Sequence, residues 1–162
     1  RAARSIRYRQ TDLDAWLDFQ AVAVNDQLAA LPDGSTVLFT AHSLPERVLE
    51  GDPYPEVLAV SAAAIADRAG LDRWALAWQS AGRTPEPWRG PDVLEVIDDL
   101  ATPGLLVCAQ GFTSDHLEIL YDLDIEAAAR AETRGIAFAR TRSVNADPAV
   151  MAGLAGLVLD LA

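Results

Sequence analysis

The chain has 162 residues, and 24 acids against 13 bases give it a formal charge of -11. That surplus argues against nucleic acid or an anionic membrane as the main partner, and the length suits one domain with room for a sizeable core. All thirteen bases are arginine, which removes lysine-dependent Schiff-base and P-loop chemistry, and the single cysteine, Cys108, can make no internal disulfide and no cysteine-rich metal site. Its place in an apolar run predicts a buried structural thiol. No apolar segment approaches 18 residues and no signal peptide opens the chain, so a cytoplasmic protein without a transmembrane segment is expected. The start, Arg1-Ala2-Ala3-Arg4, lacks a methionine and reads as a piece of a longer protein.

In chain order, apolar Leu13, Trp16, Leu17, Ala21, Val24 and Leu28 recur at helical spacing, predicting a helix over 12–31 that Thr11 caps and Pro32-Asp33-Gly34 stops. Residues 37–40 form a short β-prone run without polar alternation, as in a strand buried on both faces. A loop with Gly51-Asp52-Pro53-Tyr54-Pro55 leads to a second helix over 56–69, closed by Gly70. Residues 73–78 give the second strand, and the Pro- and Gly-rich stretch 79–91 a long loop of the kind that usually carries function. Then follow a helix over 92–100, a strand over 104–108, a helix opened by Ser114 to Glu126, a strand over 136–139 and a final helix started by Asp147-Pro148 and running to the end.

Short apolar strands alternating with helices predict an α/β fold: a four-stranded parallel sheet flanked by helices, Rossmann-like, over residues 1–162 as one domain. In the common doubly wound order 2-1-3-4, ligands bind outside the carboxyl ends of strands 1 and 3, where the winding reverses. His42 then lies just past the end of strand 1 and Glu118 in the first turn after strand 3, facing one another across one crevice. A neutral imidazole there can ligate iron(II) or zinc, or accept a proton near neutral pH.

Glu118, Asp122 and Glu126 recur every four residues. On an α-helix each such step advances about 40°, which puts the three carboxylates on one face, a repulsive row that is either mere solvated surface or offset by a cation. A capping box from Asp115 to Glu118 explains the first member alone. His116, two residues from Glu118, is expected to point away from it. Trp78 reads as core, and Trp88 flanks the long loop where a flat ligand can stack. No G-x-G-x-x-G, P-loop, H-E-x-x-H or G-x-S-x-G is present.

Four stretches carry a resemblance: Phe39-Thr40-Ala41-His42-Ser43-Leu44-Pro45; Gly51-Asp52-Pro53-Tyr54-Pro55; Trp78-Gln79-Ser80 through Pro87-Trp88-Arg89-Gly90-Pro91-Asp92; and Gly111-Phe112-Thr113-Ser114-Asp115-His116-Leu117-Glu118. In this order and spacing the chain resembles the carboxyl-terminal half of ferrochelatase, most similarly the Gram-positive and actinobacterial type that metallates coproporphyrin III. Ala109 departs from the proline usual two residues before the glycine of Gly111-Phe112.

The resemblance implies insertion of ferrous iron into the porphyrin in heme biosynthesis, a lyase activity. His42 and Glu118 match the groups that face the ring centre; which is proton acceptor and which metal ligand stays open. Asp122 and Glu126 match acids continuing as a path or secondary site for metal, so that His42, Glu118, Asp122 and Glu126 form the expected metal set. Ser43, Gln79 and Trp88 are the expected ring contacts. Iron is implied as substrate, with no permanent cofactor and no iron–sulfur cluster in this chain. The partner implied is the amino-terminal domain, which the chain lacks. The alternatives are a non-catalytic half that needs that domain, and a cobalt or sirohydrochlorin chelatase, which relies on paired histidines.

Overall fold

The computed structural model describes residues 10–160; the Arg1-Ala2-Ala3-Arg4 start lies outside them. Its elements run α1 (Asp14–Leu28), β1 (Thr36–His42), α2 (Glu46–Leu49), α3 (Tyr54–Ala69), β2 (Trp74–Gln79), α4 (Val93–Asp99), β3 (Gly104–Cys108), α5 (Leu117–Tyr121), a π-helical turn (Asp122–Ala127), α6 (Ala128–Thr133), β4 (Ala137–Arg140) and α7 (Pro148–Leu159). The four strands form one parallel sheet in the order β2-β1-β3-β4, with helices on both faces, as the alternating pattern predicts.

Why the strands lack polar alternation is visible in the packing. Successive side chains of a strand point to opposite faces, and here both faces are covered. Val37 and Phe39 of β1 with Leu106 and Cys108 of β3 enter a core against α1, α3 and α7, together with Trp16, Leu17, Val24, Ile65 and Val150. Leu38, Leu105 and Val107 enter the other core, with Ile97 of α4 and with Ile119, Leu123, Ala127 and Ala131 along α5, the π turn and α6. Cys108 is fully buried as expected, and burial pushes its thiol up to about 12.

Several boundaries differ from the sequence expectation. Thr11 does not cap α1: it sits in a 3-10 turn, Gln10–Asp12, and the N-cap position falls on Leu13 without a side-chain cap. The strand β1 extends to His42, which pairs with Gln79, the last residue of β2. Gly70 closes α3 in the left-handed region, and Asp92 caps α4 in a capping box with Glu95. The long loop after β2 is fastened to the turn after β1. Glu46 N–H donates to the Pro87 carbonyl (3.0 Å), Arg89 N–H to that of Leu44 (2.9 Å) and Trp78 N–H to that of Pro91 (2.9 Å).

One close approach sets the crevice. Gly111, just past β3, lies against the end of β1: its N–H donates to the Thr40 carbonyl (3.0 Å), and an added Cβ would stand 2.4 Å from Ala41 Cβ and 2.7 Å from Ala41 Cα. Gly111→Ala is therefore expected to cost about 1–3 kcal/mol through overpacking against backbone. Gly156→Ala, in a helix and facing open space, is expected to gain about 0.5–1 kcal/mol. Urea unfolding of both variants checks the pair; two shifts of the same sign contradict it.

Candidate functional site

His42 ends β1, and its ring is held by an immediate neighbour. Nδ1 lies at hydrogen-bond distance from the Ser43 carbonyl, which can only accept, so Nδ1 carries a proton and Nε2 faces the crevice. There Nε2 meets Glu118 Oε2 at 3.5 Å. The carboxylate and the imidazole that the switch-point argument set opposite one another are thus brought together, both part-exposed to the crevice.

The neighbourhood of Glu118 differs from expectation in two ways, both traceable to where α5 starts. The N-cap is His116, not Asp115, with extended backbone (φ -156°, ψ 178°), and its Nδ1 accepts from Ile119 N–H (3.3 Å). Helical-wheel reasoning fails for a residue outside the helix, and His116 does not point away: its Nε2 is 4.0 Å from Glu118 Oε2. With Nδ1 accepting, the proton of a neutral His116 sits on Nε2, toward the carboxylate. Glu118 Oε2 therefore lies between two imidazole Nε2 atoms, 3.5 Å from that of His42 and 4.0 Å from that of His116. The buried Phe112 ring stands between the two imidazoles, 5.4 Å from His116 edge-on and 6.3 Å from His42. No pattern in the sequence marks His116, because Ser114 and Asp115, just before the real start, are better N-cap types.

Asp115 braces the loop instead. It takes hydrogen bonds from Ser143 Oγ (2.8 Å), Asn145 Nδ2 (3.1 Å) and Arg140 Nη1 (3.2 Å), while its own N–H donates to Asn145 Oδ1 (3.0 Å). These donors, Asn145 and Ser143 foremost, hold its carboxyl below the usual aspartate range.

The carboxylate row is shaped by the π-helical turn. An α-helical step of four overshoots a full turn by about 40°, whereas i→i+5 bonding puts more than four residues in a turn, so the step from Asp122 to Glu126 falls short. The third acid swings back toward the line of the first. Asp122 accepts from Ser80 Oγ, and Ser80 holds a left-handed backbone (φ 61°) just past β2. Asp122, Glu126, Ser80, Asp92, Arg83 and Gln79 line a pocket of about 260 Å³ beyond Glu118. Burial, together with Glu95, Asp122 and Glu126, raises the Asp92 carboxyl. Among the described residues no three metal-ligating side chains converge on one point.

Ser43 and Gln79 lie beneath the surface. Ser43 is 1% exposed, its Oγ donating to the Arg89 carbonyl (2.8 Å) and its N–H to that of Gln79 (2.8 Å). Gln79 is fully buried, with neither Oε1 nor Nε2 partnered. Trp88 is half-buried, folded onto Gly82 with Nε1 donating to Thr84 Oγ1 (2.8 Å). Trp78 is core, 5.7 Å from the Tyr54 ring, whose hydroxyl donates to the His42 carbonyl (3.1 Å). Beside the acids, Leu117, Leu120, Tyr121 and Ile125 are exposed, an apolar margin to a charged row.

A family model described as ferrochelatase matches residues 9–161. The chain belongs to the ferrochelatase family. The chain is 48% identical over 134 residues to a ferrochelatase of Herpetosiphon aurantiacus (78% of this chain, 44% of that protein), and 43% over 150 residues to a coproporphyrin III ferrochelatase of Halalkalibacterium halodurans (88% and 47%). It is 37% identical over 164 residues to a coproporphyrin III ferrochelatase of Bacillus subtilis (92% and 53%). The chain thus spans about half the length of the curated ferrochelatases it matches. Among the described residues of this ferrochelatase-family chain, no helix is long and apolar enough to cross a membrane.

The depressed Asp115 carboxyl makes the bracing of the Glu118 loop pH-dependent. Its folded value lies below its unfolded value, so the contribution is present above the ordinary aspartate range and fades as pH falls through the lowered value. Asp115→Asn is expected to cost about 1 kcal/mol or less at pH 7, given the exposure of the pair. The gap from the unaltered chain should close below about pH 4; thermal unfolding from pH 7 to pH 2.5 measures it, and a gap independent of pH contradicts the assignment.

Proposed function

We propose that the protein to which this chain belongs inserts ferrous iron into coproporphyrin III to give coproheme, and that His42 and Glu118 face the centre of the ring. The observation that carries this is the 3.5 Å approach of His42 Nε2 to Glu118 Oε2 across the β1/β3 switch point in a ferrochelatase-family chain. Relatives named coproporphyrin III ferrochelatase support the choice of ring. The chain corresponds to the carboxyl-terminal half of the enzyme and forms one wall of the cleft; its other half is the partner that supplies the facing wall. The exposed Leu117, Leu120, Tyr121 and Ile125 suit a face that ring and partner cover. The site is cytoplasmic, iron enters as substrate, and a permanent cofactor or iron–sulfur cluster is not part of the scheme.

Insertion releases two pyrrole protons and exchanges the water on iron(II) for four ring nitrogens. A lone pair on His42 Nε2, fixed by the Nδ1 bond to Ser43, takes the first proton, the adjacent Glu118 carboxylate stabilises the imidazolium that forms, and release of that proton to solvent frees Nε2 to take the second. His116 orients that carboxylate. Glu118, Asp122 and Glu126 give iron(II) a succession of oxygen donors on its way to the ring. Trp88 serves as an apolar edge for the ring, while Ser43 and Gln79 act from beneath, Ser43 by fixing the wall that carries His42.

Anaerobic incubation of this chain with iron(II) and coproporphyrin III, following the absorbance change of metallation, tests the activity directly. No turnover alone but turnover on adding the other half marks the chain as an incomplete wall. No turnover with both sinks the assignment. In the active protein, His42→Ala and Glu118→Gln should each lower turnover by about 10²- to 10⁴-fold with porphyrin affinity kept. Asp122→Ala should chiefly raise the apparent KM for iron; an unchanged KM makes the row an ordinary solvated face.

A further inference from the structure

The pocket beyond Glu118 contains one group that does not fit a simple cation path. Arg83 lines it together with Asp92, Asp122 and Glu126. Most arginines among the described residues are committed elsewhere. Arg47 pairs with Glu86, Arg68 with Asp14 and Asp18, Arg89 with Glu46, Arg130 with Asp98, Arg140 with Asp115 and Asp124, and Arg142 with Asp147. Arg73 donates to the Gly34 carbonyl. Arg134 lies before β4, at the amino ends of the strands and away from the crevice. Arg83 is exposed on the loop after β2, at the carboxyl ends, and has no carboxylate within ion-pair distance among the described residues although three line its pocket.

A guanidinium at the mouth of such a pocket raises the energy of any second cation placed there. Like charges repel through water over several ångströms, and the effect doubles for a divalent ion. The pocket is otherwise suited to a cation. Besides the acids it holds the fully buried Gln79, whose amide has no partner at either Oε1 or Nε2. A station on a delivery route must bind firmly enough to be occupied and weakly enough to be left.

We propose that Arg83 is the resident counter-cation of this pocket and keeps divalent metal there weakly held, so that it passes on toward Glu118 and His42. This rests on the reading of Asp122 and Glu126 as metal stations. Arg83 touches no reacting atom in this scheme; it acts through the field it adds to the carboxylates.

The test is manganese(II) binding to this chain, measured by loss of the free-ion electron paramagnetic resonance signal, at about 10 mM and 300 mM salt. Arg83→Gln is expected to bind manganese about three- to ten-fold more tightly at low salt, with the gain shrinking at high salt as the charges are screened. Arg83→Lys should bind like the unaltered chain. Asp122→Asn is the control for the underlying reading and should weaken binding. Weaker binding by Asp122→Asn with unchanged or weaker binding by Arg83→Gln overturns the role of Arg83 alone. Unchanged binding by Asp122→Asn removes the metal station and the inference with it.

Discussion

The site depends on β1 and β3 lying side by side in parallel. That pairing brings two segments some seventy residues apart to the same edge of the sheet, and the contact of Gly111 with Ala41 fixes how closely their ends approach. A side chain at position 111 would collide with backbone, which no rotamer change can relieve. From that contact follow the position of Phe112, the start of α5 at His116 and the reach of Glu118 toward His42. The apolar layers on both faces hold the strands, and the crevice is what remains where the chain leaves the sheet.

Within the crevice, fixed backbone partners decide what each titratable group can do. The Ser43 carbonyl accepts from His42 Nδ1, and His116 Nδ1 accepts from the Ile119 N–H, so the backbone fixes both rings with Nε2 toward one carboxylate. Beyond Glu118 the character changes from directed hydrogen bonds to a diffuse negative field. The π turn brings Glu126 back toward the line, Ser80 holds Asp122 from the neighbouring loop, and the arginine of that same loop opposes the accumulated charge.

Much of this was legible in the residues. The short apolar runs predicted four parallel strands, of which β1 and β3 are buried almost throughout, and doubly wound topology set His42 and Glu118 on one crevice. The strand order β2-β1-β3-β4 bears that out. The caps were less legible. Thr11, Ser114 and Asp115 are good capping residues by type, yet the N-cap of α1 is Leu13, without a side-chain bond, and that of α5 is His116. Tertiary partners competed for those side chains: Asp115 is taken by Arg140, Ser143 and Asn145, all more than twenty residues away. Once the cap moved by one residue, His116 left the helical wheel that had turned it outward.

The sequence by itself determined the α/β alternation, the two-sided burial of the central strands β1 and β3, the presence of an imidazole at one strand end and a carboxylate row after another, and, through four motifs, the ferrochelatase likeness. Those are local properties: they follow from periodicity, turn residues and spacing along the chain. Only the tertiary structure decided the π-helical turn, the burial of Ser43 and Gln79, the convergence of His116 on Glu118 and the placing of Arg83 and Asp92 around the outer acids. Each of these is settled by contacts between segments distant in sequence, where packing and the sharing of hydrogen-bond partners override what any one segment prefers alone.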